Sequence, residues 1–585
     1  MNLAAFVSVN AEKYLSKPAI GFKKYDEWKS LSWTMFKRTI FKTASALKDI
    51  GVKEGDKVAI YSDNSAEWII FDLAVLSLGA ISVPIYSTNG KQQTQYCIQD
   101  SGASIVFVGN QEQYDICSEI MEETSSLKFI IAAKKTTVLR HSNSIHLENL
   151  TQKGSEDFEV CPRDKSDLST ILYTSGTSGT PKGVMLTHGN LIDCFQAHTD
   201  FFKFKNFENE TSLAFLPLSH IFERSWTLFC LSKGAKVSFL ENTKLIAHAL
   251  EEVKPSMMCA VPRFYQKIYG ALREMVEKSS STKKKIFDWA LNIGTQCSEY
   301  RRKGKSVPFG LALKDKIASK LIFNKIKQKL GGNLWFMPCG GAAISPEILK
   351  FFDAMGIHIT VGYGLTETTA TLTCFPAYNY EYETAGIPIG DTQIKIGEHN
   401  EILVKGSGVM KGYYNLPEET IKAFTEDGWF RTGDAGVIEN GTLKITDRIK
   451  DLMKTSNGKY ITPQVIENIL TNSNYIQQAM VVAEGKPFVT AVIVPNFEAL
   501  KEKVKAMKLS MTDWNEIVSS EKITQFYHDI LQDVQKELSA FERVKKFVLL
   551  PSEFEIKTGE ITPTLKVKRN VVMSKYNNLI ERLYS

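Results

Sequence analysis

Through its first 160 residues the chain alternates short apolar, β-rich runs with amphipathic stretches of helical period. Lys57-Val-Ala-Ile-Tyr61 reads as a buried strand, and residues 66–78 as a helix stopped by Gly79. Ile81-Ser-Val-Pro-Ile85 reads as the next strand, and Ser104-Ile-Val-Phe-Val108 as another after a helix around 92–100. Strand–helix–strand alternation predicts a parallel, doubly wound α/β sheet. The rhythm continues through Ser169-Thr-Ile-Leu172, Ser212-Leu-Ala-Phe-Leu216, Lys236-Val-Ser-Phe-Leu240 and Leu334-Trp-Phe-Met337. From about Thr392 it gives way to short strands at 401–404, 436–438 and 442–445, divided by Asn-Gly or Gly-rich turns. That pattern predicts a small β-barrel or hairpin unit over roughly 392–446. Past the charged segment Arg448-Ile-Lys-Asp451 the chain reads as compact α+β, with a helix near 463–470, a hairpin over 479–494 turning at Glu484-Gly-Lys-Pro487, and a helix over 522–538. The expected organisation is a large N-terminal α/β domain, 1–447, of doubly wound mixed sheets plus the β-barrel unit, followed by a small α+β domain, 448–585.

Length and composition agree with this division. A chain of 585 residues is too long for one core, and 43% hydrophobic with 23% charged residues excludes wholesale disorder. The nine cysteines are an odd number with no C-x-x-C spacing, which suggests neither a disulfide framework nor a zinc site. A reducing, cytoplasmic compartment is the expectation. The start Met1-Asn-Leu-Ala-Ala-Phe-Val lacks the basic and apolar regions of a signal peptide, and no apolar run approaches the roughly 18 residues of a membrane span.

A formal net charge of +6 is too small for this size to argue nucleic-acid binding. The charge is uneven, however: from Lys283 to Lys329 thirteen Lys/Arg face three acids, interleaved with Ile286, Phe287, Trp289, Leu321, Ile322 and Phe323. Helices with one basic face are expected there. They suit either peripheral contact with the cytoplasmic, anionic face of a membrane or a solvated face packed onto the domain.

The chemistry concentrates in Tyr173-Thr-Ser-Gly-Thr-Ser-Gly-Thr-Pro-Lys-Gly183, which holds three glycines, five hydroxyl-bearing Ser/Thr and one lysine behind a strand. Glycine lets backbone approach a ligand closely, and successive N–H groups form an anion nest to which hydroxyls and a lysine add donors and charge. Spacing excludes a P-loop, because Pro181 precedes and Gly183 follows Lys182. It also excludes the dinucleotide fingerprint. Gly362-Tyr-Gly-Leu-Thr-Glu-Thr368 follows the apolar run 357–361, where ligands of open α/β sheets bind. Its Glu367 suits Mg²⁺, which takes one or two carboxylates plus phosphates. Thr432-Gly-Asp434 offers a carboxylate on an expected tight turn, suited to a sugar diol; Pro338-Cys-Gly-Gly-Ala342 is a backbone-exposing loop; and Leu216-Pro-Leu-Ser-His-Ile-Phe-Glu-Arg224 sets one His among apolar residues.

In this order, Y-T-S-G-T-S-G-T-P-K-G, G-Y-G-L-T-E-T, R-T-G-D, D-R-I-K-D and a late lysine resemble the adenylate-forming superfamily of acyl-CoA synthetases, luciferases and peptide-synthetase adenylation domains. L-P-L-S-H-I-F-E-R, D-G-W-F-R-T-G-D and E-I-T-P-T-L-K-V-K-R are most similar to long-chain fatty acid–CoA ligases. The resemblance covers nearly the whole chain. It implies an ATP- and Mg²⁺-dependent enzyme that joins a long-chain fatty acid to coenzyme A. The fatty carboxylate attacks the α-phosphate of ATP, and the CoA thiolate then displaces AMP from the acyl-adenylate.

The same resemblance implies residue roles. Thr174, Ser175, Gly176, Thr177, Ser178, Gly179, Thr180 and Lys182 would hold the β- and γ-phosphates, with Ser178 and Glu367 at Mg²⁺. Tyr363 beside Gly364 would stack on adenine, lined by Gly340, Gly341 and Ala342. Thr366 would meet the α-phosphate, Asp434 and Arg448 the ribose, and His220 the reacting carboxylate. Lys566 would bridge carboxylate and phosphate from a mobile C-terminal domain turning about a hinge near Lys450. The sequence departs from the commonest pattern at Ser178, where the superfamily often has Thr, and at Leu565, where a glycine is usual; the second change resembles the long-chain branch. Alternatives compatible with these residues are transfer to a carrier protein, medium-chain or aromatic acids, and an inactive acyl-binding or membrane-docking relative.

Overall fold

The computed structural model describes residues 1–584 apart from 175–180, 449–452, 458, 508, 510–512, 537, 556 and 563–566, and apart from the side chains of Asp447, Arg448 and Tyr460. Its central feature is an eight-stranded sheet. The strands run in the order Gly412–Tyr413, Lys182–Thr187, Leu168–Thr174, Ile81–Ile85, Lys57–Tyr61, Ile105–Val108, Phe129–Ala132 and Ser144–His146. The last six pair in parallel, whereas Lys182–Thr187 and Gly412–Tyr413 are antiparallel, so the sheet is mixed. Strands such as Lys57–Tyr61 and Ile81–Ile85 are apolar almost throughout because both faces are covered.

The helix Ala66–Ser77 is buried on nearly every side, with Ser65 capping it by accepting the Trp68 N–H at 3.1 Å. Two four-stranded sheets complete the first domain's α/β part. One runs Thr211–Ala214, Lys236–Phe239, Pro18–Lys24, Glu27–Ser32, and the other Phe336–Cys339, His358–Tyr363, Thr373–Cys374, Ile387–Pro388. Single bridges through Met257 join them. The strand expected over 334–337 is displaced to Phe336–Cys339, because its parallel register against His358–Tyr363 begins at Phe336.

The small β unit expected over 392–446 is a four-stranded antiparallel sheet ordered Gln393–Ile396, Glu401–Lys405, Phe430–Glu439, Thr442–Arg448. Thr432-Gly433-Asp434 does not form the expected tight turn but lies inside the strand Phe430–Glu439. Leu403 pairs with Arg431 and Glu401 with Ala435, so the motif is a bulge. A bulge bends the strand and re-aims a side chain, and Gly433 supplies the positive φ of 71° it requires.

The C-terminal domain is separate. Its sheet, Ile476–Val482, Thr490–Pro495 and Lys546–Leu549, is packed by the helices Pro463–Leu470 and Glu521–Val534. The latter stops four residues before the expected end, because Gln535 leaves the helix to exchange two hydrogen bonds with the Val544 backbone, at 3.2 and 2.9 Å. Among the described residues, buried apolar clusters draw either on residues up to 443 or on residues from 453 onward, never on both. No helix among them is long and apolar enough to cross a membrane.

Candidate active site

A cavity of about 590 Å³ opens at the carboxyl ends of Leu168–Thr174 and His358–Tyr363. Its mouth is lined by Thr174, Lys182, Gly340, Gly341, Thr366, Glu367, Thr432 and Gly433, and by Thr562 of the C-terminal domain. Thr174 and Lys182 are register partners, so the two ends of the glycine-rich stretch are held side by side. Residues 175–180 of that stretch lie outside the described residues. Thr366 and Glu367 sit on a single 3₁₀ turn directly after the strand His358–Tyr363. Gly364 has no alternative there: a Cβ would come within 2.2 Å of the Ala370 carbonyl oxygen.

The charged side chains at the mouth form a chain of contacts. The Lys182 ammonium pairs with Glu419 at 2.6 Å and lies 4.9 Å over the Tyr413 ring. Lys182 and Lys422 hold the Glu419 carboxyl at about 2, well below its ordinary range. The Tyr413 hydroxyl donates to Glu367 Oε1 at 3.0 Å; burial, with Glu367 beside it, raises that phenol's pKa and keeps it a donor. Tyr363 is buried at the wall between lining residues Gly362 and Gly364, and its hydroxyl donates to Asp434 Oδ2 at 2.7 Å. Asp434 in turn stands opposite Arg448 in the strand register.

The inner end is aromatic. His198, Phe202, Trp226 and Phe229 line it beyond His220 and Phe222, and the Trp226 indole N–H donates to Ser212 Oγ at 3.0 Å. His220 caps the helix Ile221–Ser232: its Nδ1 accepts the Phe222 N–H at 3.2 Å. Burial lowers its pKa to about 4, so near neutral pH the ring is uncharged. With Nδ1 accepting, Nε2 carries the proton. His220 therefore lines the cavity as a neutral ring whose protonated nitrogen is the one not taken by Phe222.

Two buried groups fix this segment. Asn64 clamps its loop, donating to the Leu216 carbonyl at 2.6 Å and accepting from the Leu218 N–H at 2.9 Å. Glu223 accepts from the Leu216 N–H at 3.0 Å and from Thr227 Oγ1 at 3.3 Å. Burial pushes the Glu223 carboxyl up to about 8 from 4.5. Between those values the folded chain keeps a proton that the unfolded chain has lost, so this group's contribution to stability falls as pH rises from 4.5 toward 8. Glu223→Gln, isosteric and uncharged, is expected to gain in melting temperature on the native protein as pH is raised across that window. A constant difference between the two melting curves would show that Glu223 is ionised in the fold throughout.

Of the residues singled out from sequence, Thr174, Lys182, His220, Gly340, Gly341, Gly364, Thr366 and Glu367 meet at this cavity, with Tyr363 and Asp434 bonded to each other beside it. Ala342 does not join them; it is exposed, because the backbone turns outward after Gly341, φ 87°. The side chain of Arg448, and Lys450 and Lys566 entirely, lie outside the description, although Thr562, four positions before Lys566, reaches the wall. Sequence reasoning passed over Tyr413, Glu419 and Asn64, whose partners are 46, 237 and 152 residues away. Tyr413-Tyr414-Asn415 carries no glycine nest or spacing to mark it. Asp72, an acid in the middle of the apolar helix Ala66–Ser77, did carry a signal, since a buried charge needs a partner.

Comparison with known proteins places these observations. Residues 7–414 match the family model described as AMP-binding enzyme, and residues 450–585 match the AMP-binding enzyme C-terminal domain. The long-chain-fatty-acid–CoA ligase FadD15 of Mycobacterium tuberculosis is 31% identical over 95% of this chain and 93% of its own length. Long-chain-fatty-acid–CoA ligase 5 of Rattus norvegicus is 31% identical over 97% of this chain and 86% of its own. Among solved structures, the adenylation domain of a carboxylate reductase from Mycobacterium chelonae superposes with a TM-score of 0.78 at 20% identity, covering 100% of this chain and 91% of that one. The A domain of the Segniliparus rugosus carboxylic acid reductase, in complex with AMP and a co-purified carboxylic acid, gives 0.77 at 20% identity, covering 100% and 94%.

Proposed function

We propose, from the premise that the chain belongs to the AMP-binding enzyme family, that it ligates a long-chain fatty acid to coenzyme A through an acyl-adenylate, releasing AMP and pyrophosphate. The observation that carries this reading is one cavity with two chemistries. Hydroxyls, an ammonium and a carboxylate line it together with aromatic side chains, and the uncharged His220 is among the lining residues. Relatives whose names state long-chain substrates, aligned over nearly the full chain, supply the acyl class.

The first half-reaction brings a carboxylate to a polyphosphate. Two unit charges about 4 Å apart repel by about 4 kcal/mol at an effective dielectric of 20. Cations and fixed donors must offset this as charge moves to the leaving pyrophosphate. Thr174, Ser175, Gly176, Thr177, Ser178, Gly179, Thr180 and Lys182 are assigned to the β- and γ-phosphates, with Glu419 as the counterion that a polyphosphate displaces or shares at Lys182. Thr366 is assigned to the α-phosphate, Tyr363 with Gly340 and Gly341 to adenine, and Asp434 and Arg448 to the ribose. His220 is assigned to the carboxylate, which a neutral donor orients without competing for the phosphates.

Mg²⁺ fits the donor set at the mouth. Among the described residues no three His, Cys, Asp or Glu come together to hold a metal, so an ion at Glu367 needs further oxygens from Ser178 and from the substrate phosphates. Such an ion supplies charge neutralisation on the phosphates. Tyr413 orients the Glu367 carboxylate.

The second half-reaction needs other groups around the same adenylate, and domain rotation about Lys450 provides them. This division is supported by the apolar clusters that part between 443 and 453 and by the family match that resumes at 450. Lys450→Pro fixes φ at the pivot. It is expected to leave ATP–pyrophosphate exchange near native while depressing thioester formation; equal losses in both assays would remove the hinge from Lys450. Peripheral contact with an anionic lipid surface through the basic stretch 283–329 is part of the proposal.

A screen of acids from octanoate to eicosanoate, following AMP release with and without coenzyme A, tests the function. The expected result is CoA-dependent turnover that peaks at a long chain. Turnover confined to aromatic or medium-chain acids, or indifferent to CoA, would favour the alternative substrates or a carrier-protein acceptor.

A further inference from the structure

The basic stretch folds into the helices Ser281–Arg302, Phe309–Ala318 and Asn324–Lys329, with a π-helical turn, Ser319–Phe323, between the last two. One side of this unit is packed: Phe287, Ala290, Ala318, Phe323 and Ile326 are buried in the second apolar cluster of the large domain. The one acid between Glu299 and Glu347, Asp315, is turned inward and paired with Arg301.

The outer side is unlike an ordinary solvated face. Phe309 is 88% exposed, Leu313 54%, Ile317 47% and Leu321 45%. These four recur at every fourth residue, which places them on one face of a helix. A π turn rotates less per residue than an α turn, which keeps Leu321 close to the stripe after Ile317. Lys314 lies to one side of the stripe and Lys316 and Lys320 to the other, all three exposed. At the turn into the helix, Lys303 and Lys305 bracket Gly304, which sits against the ring of Tyr378, itself 58% exposed. Single exposed apolar residues need no explanation, but a continuous apolar stripe with no protein over it does.

We propose that this outer face of Phe309–Ala318 and its π-helical extension docks the protein onto an anionic lipid surface. Phe309, Leu313, Ile317 and Leu321 enter the boundary between headgroups and acyl chains, and the flanking lysines meet the phosphates. Charge complementarity selects this occupant: five lysines surround the stripe, and the nearby acids Asp315 and Glu381 are paired with Arg301 and Arg302. A nucleic acid would use the cations but leave four large apolar side chains in water. An amphipathic helix of low net hydrophobicity, with lysines beside the apolar face, is the form that lies in a membrane interface plane, and each lysine near an anionic leaflet adds attraction that salt screens.

The test is co-sedimentation of the full chain with vesicles of phosphatidylcholine and phosphatidylglycerol in roughly a three-to-one ratio, against phosphatidylcholine alone, at low and high salt. The native chain is expected to bind the mixed vesicles only, and less at high salt. Leu313→Ser/Ile317→Ser should weaken binding on the order of tenfold, and Lys314→Gln/Lys316→Gln/Lys320→Gln should weaken it and flatten its salt dependence. All five positions are exposed, so thermal unfolding should be unchanged in both variants. Equal binding to both vesicle types, no binding, or unaltered binding by the variants would overturn the proposal. So would a native dimer that the serine variant dissociates without any vesicle binding, which would assign the stripe to a second copy. The readout needs no turnover, so its outcome is separate from that of the ligase reading.

Discussion

Lys566→Ala is expected to slow ATP–pyrophosphate exchange by about 10²–10³-fold, the cost of losing one donor aimed at developing charge. Thioester formation from preformed acyl-adenylate should stay near native. Two lysines compete for the role of bridging carboxylate and α-phosphate. Lys182 is at the cavity mouth, held between Glu419 and the Tyr413 ring on the side of the glycine-rich stretch. Its position there suits the leaving pyrophosphate. Lys566 belongs to the other domain, and Thr562 of the same segment reaches the cavity wall. A lysine carried by a moving domain can serve the first half-reaction and be withdrawn for the second. Exchange near the native rate in Lys566→Ala would return the role to Lys182.

Asp72→Asn should destabilise the large domain by about 3–5 kcal/mol, the usual cost of breaking a buried ion pair from one side. Arg224 and Asp72 are both fully buried, joined by two hydrogen bonds at 2.7 and 3.0 Å, and Arg224 adds a third to Thr170 Oγ1 at 2.7 Å. The asparagine leaves a guanidinium without its counterion in a dry interior. Arg224 lies in the first turn of the helix that His220 caps and donates to the strand ending at Thr174, so it ties the inner end of the cavity to the phosphate side. Denaturant unfolding measures the loss. An Asp72→Leu/Arg224→Met double variant should recover much of it, because an apolar pair avoids the desolvation of both ions. A single-variant cost below about 1 kcal/mol would mean that water reaches the pair.

Most of the architecture was legible because buried parallel strands leave continuous apolar runs: Lys57–Tyr61 and Ile81–Ile85 lie where the pattern puts them. The C-terminal helix Pro463–Leu470 likewise matches its expected span. The failures were tertiary. Nothing in Thr432-Gly-Asp434 itself distinguishes a tight turn from a bulge, since both use the same glycine; only pairing with Glu401–Lys405 decides it. Gln535 ends its helix for a partner nine residues on. At the site, Thr174 and Lys182 at the ends of the glycine-rich stretch, Gly340 and Gly341, and the Thr-Glu turn come together where their motifs point. Residues that act by position could not, because Tyr413 and Glu419 acquire meaning only when Gly412–Tyr413 pairs with Lys182–Thr187 and brings them over Lys182. The exposed stripe on Phe309–Ala318 was half legible: the basic charge was plain, but which apolar residues face outward depends on how the helix packs.

In the proposed reaction a carboxylate oxygen attacks the α-phosphate and stays with AMP when coenzyme A takes the acyl group. Palmitate carrying a heavy oxygen isotope in both carboxylate positions tests this most directly, with products read by mass spectrometry after a single turnover with ATP and coenzyme A. One labelled oxygen in each AMP, with none in pyrophosphate, is the predicted result. Label in inorganic phosphate alongside ADP, or AMP free of label, would contradict the acyl-adenylate and with it the roles given to Thr366, Lys182 and Lys566.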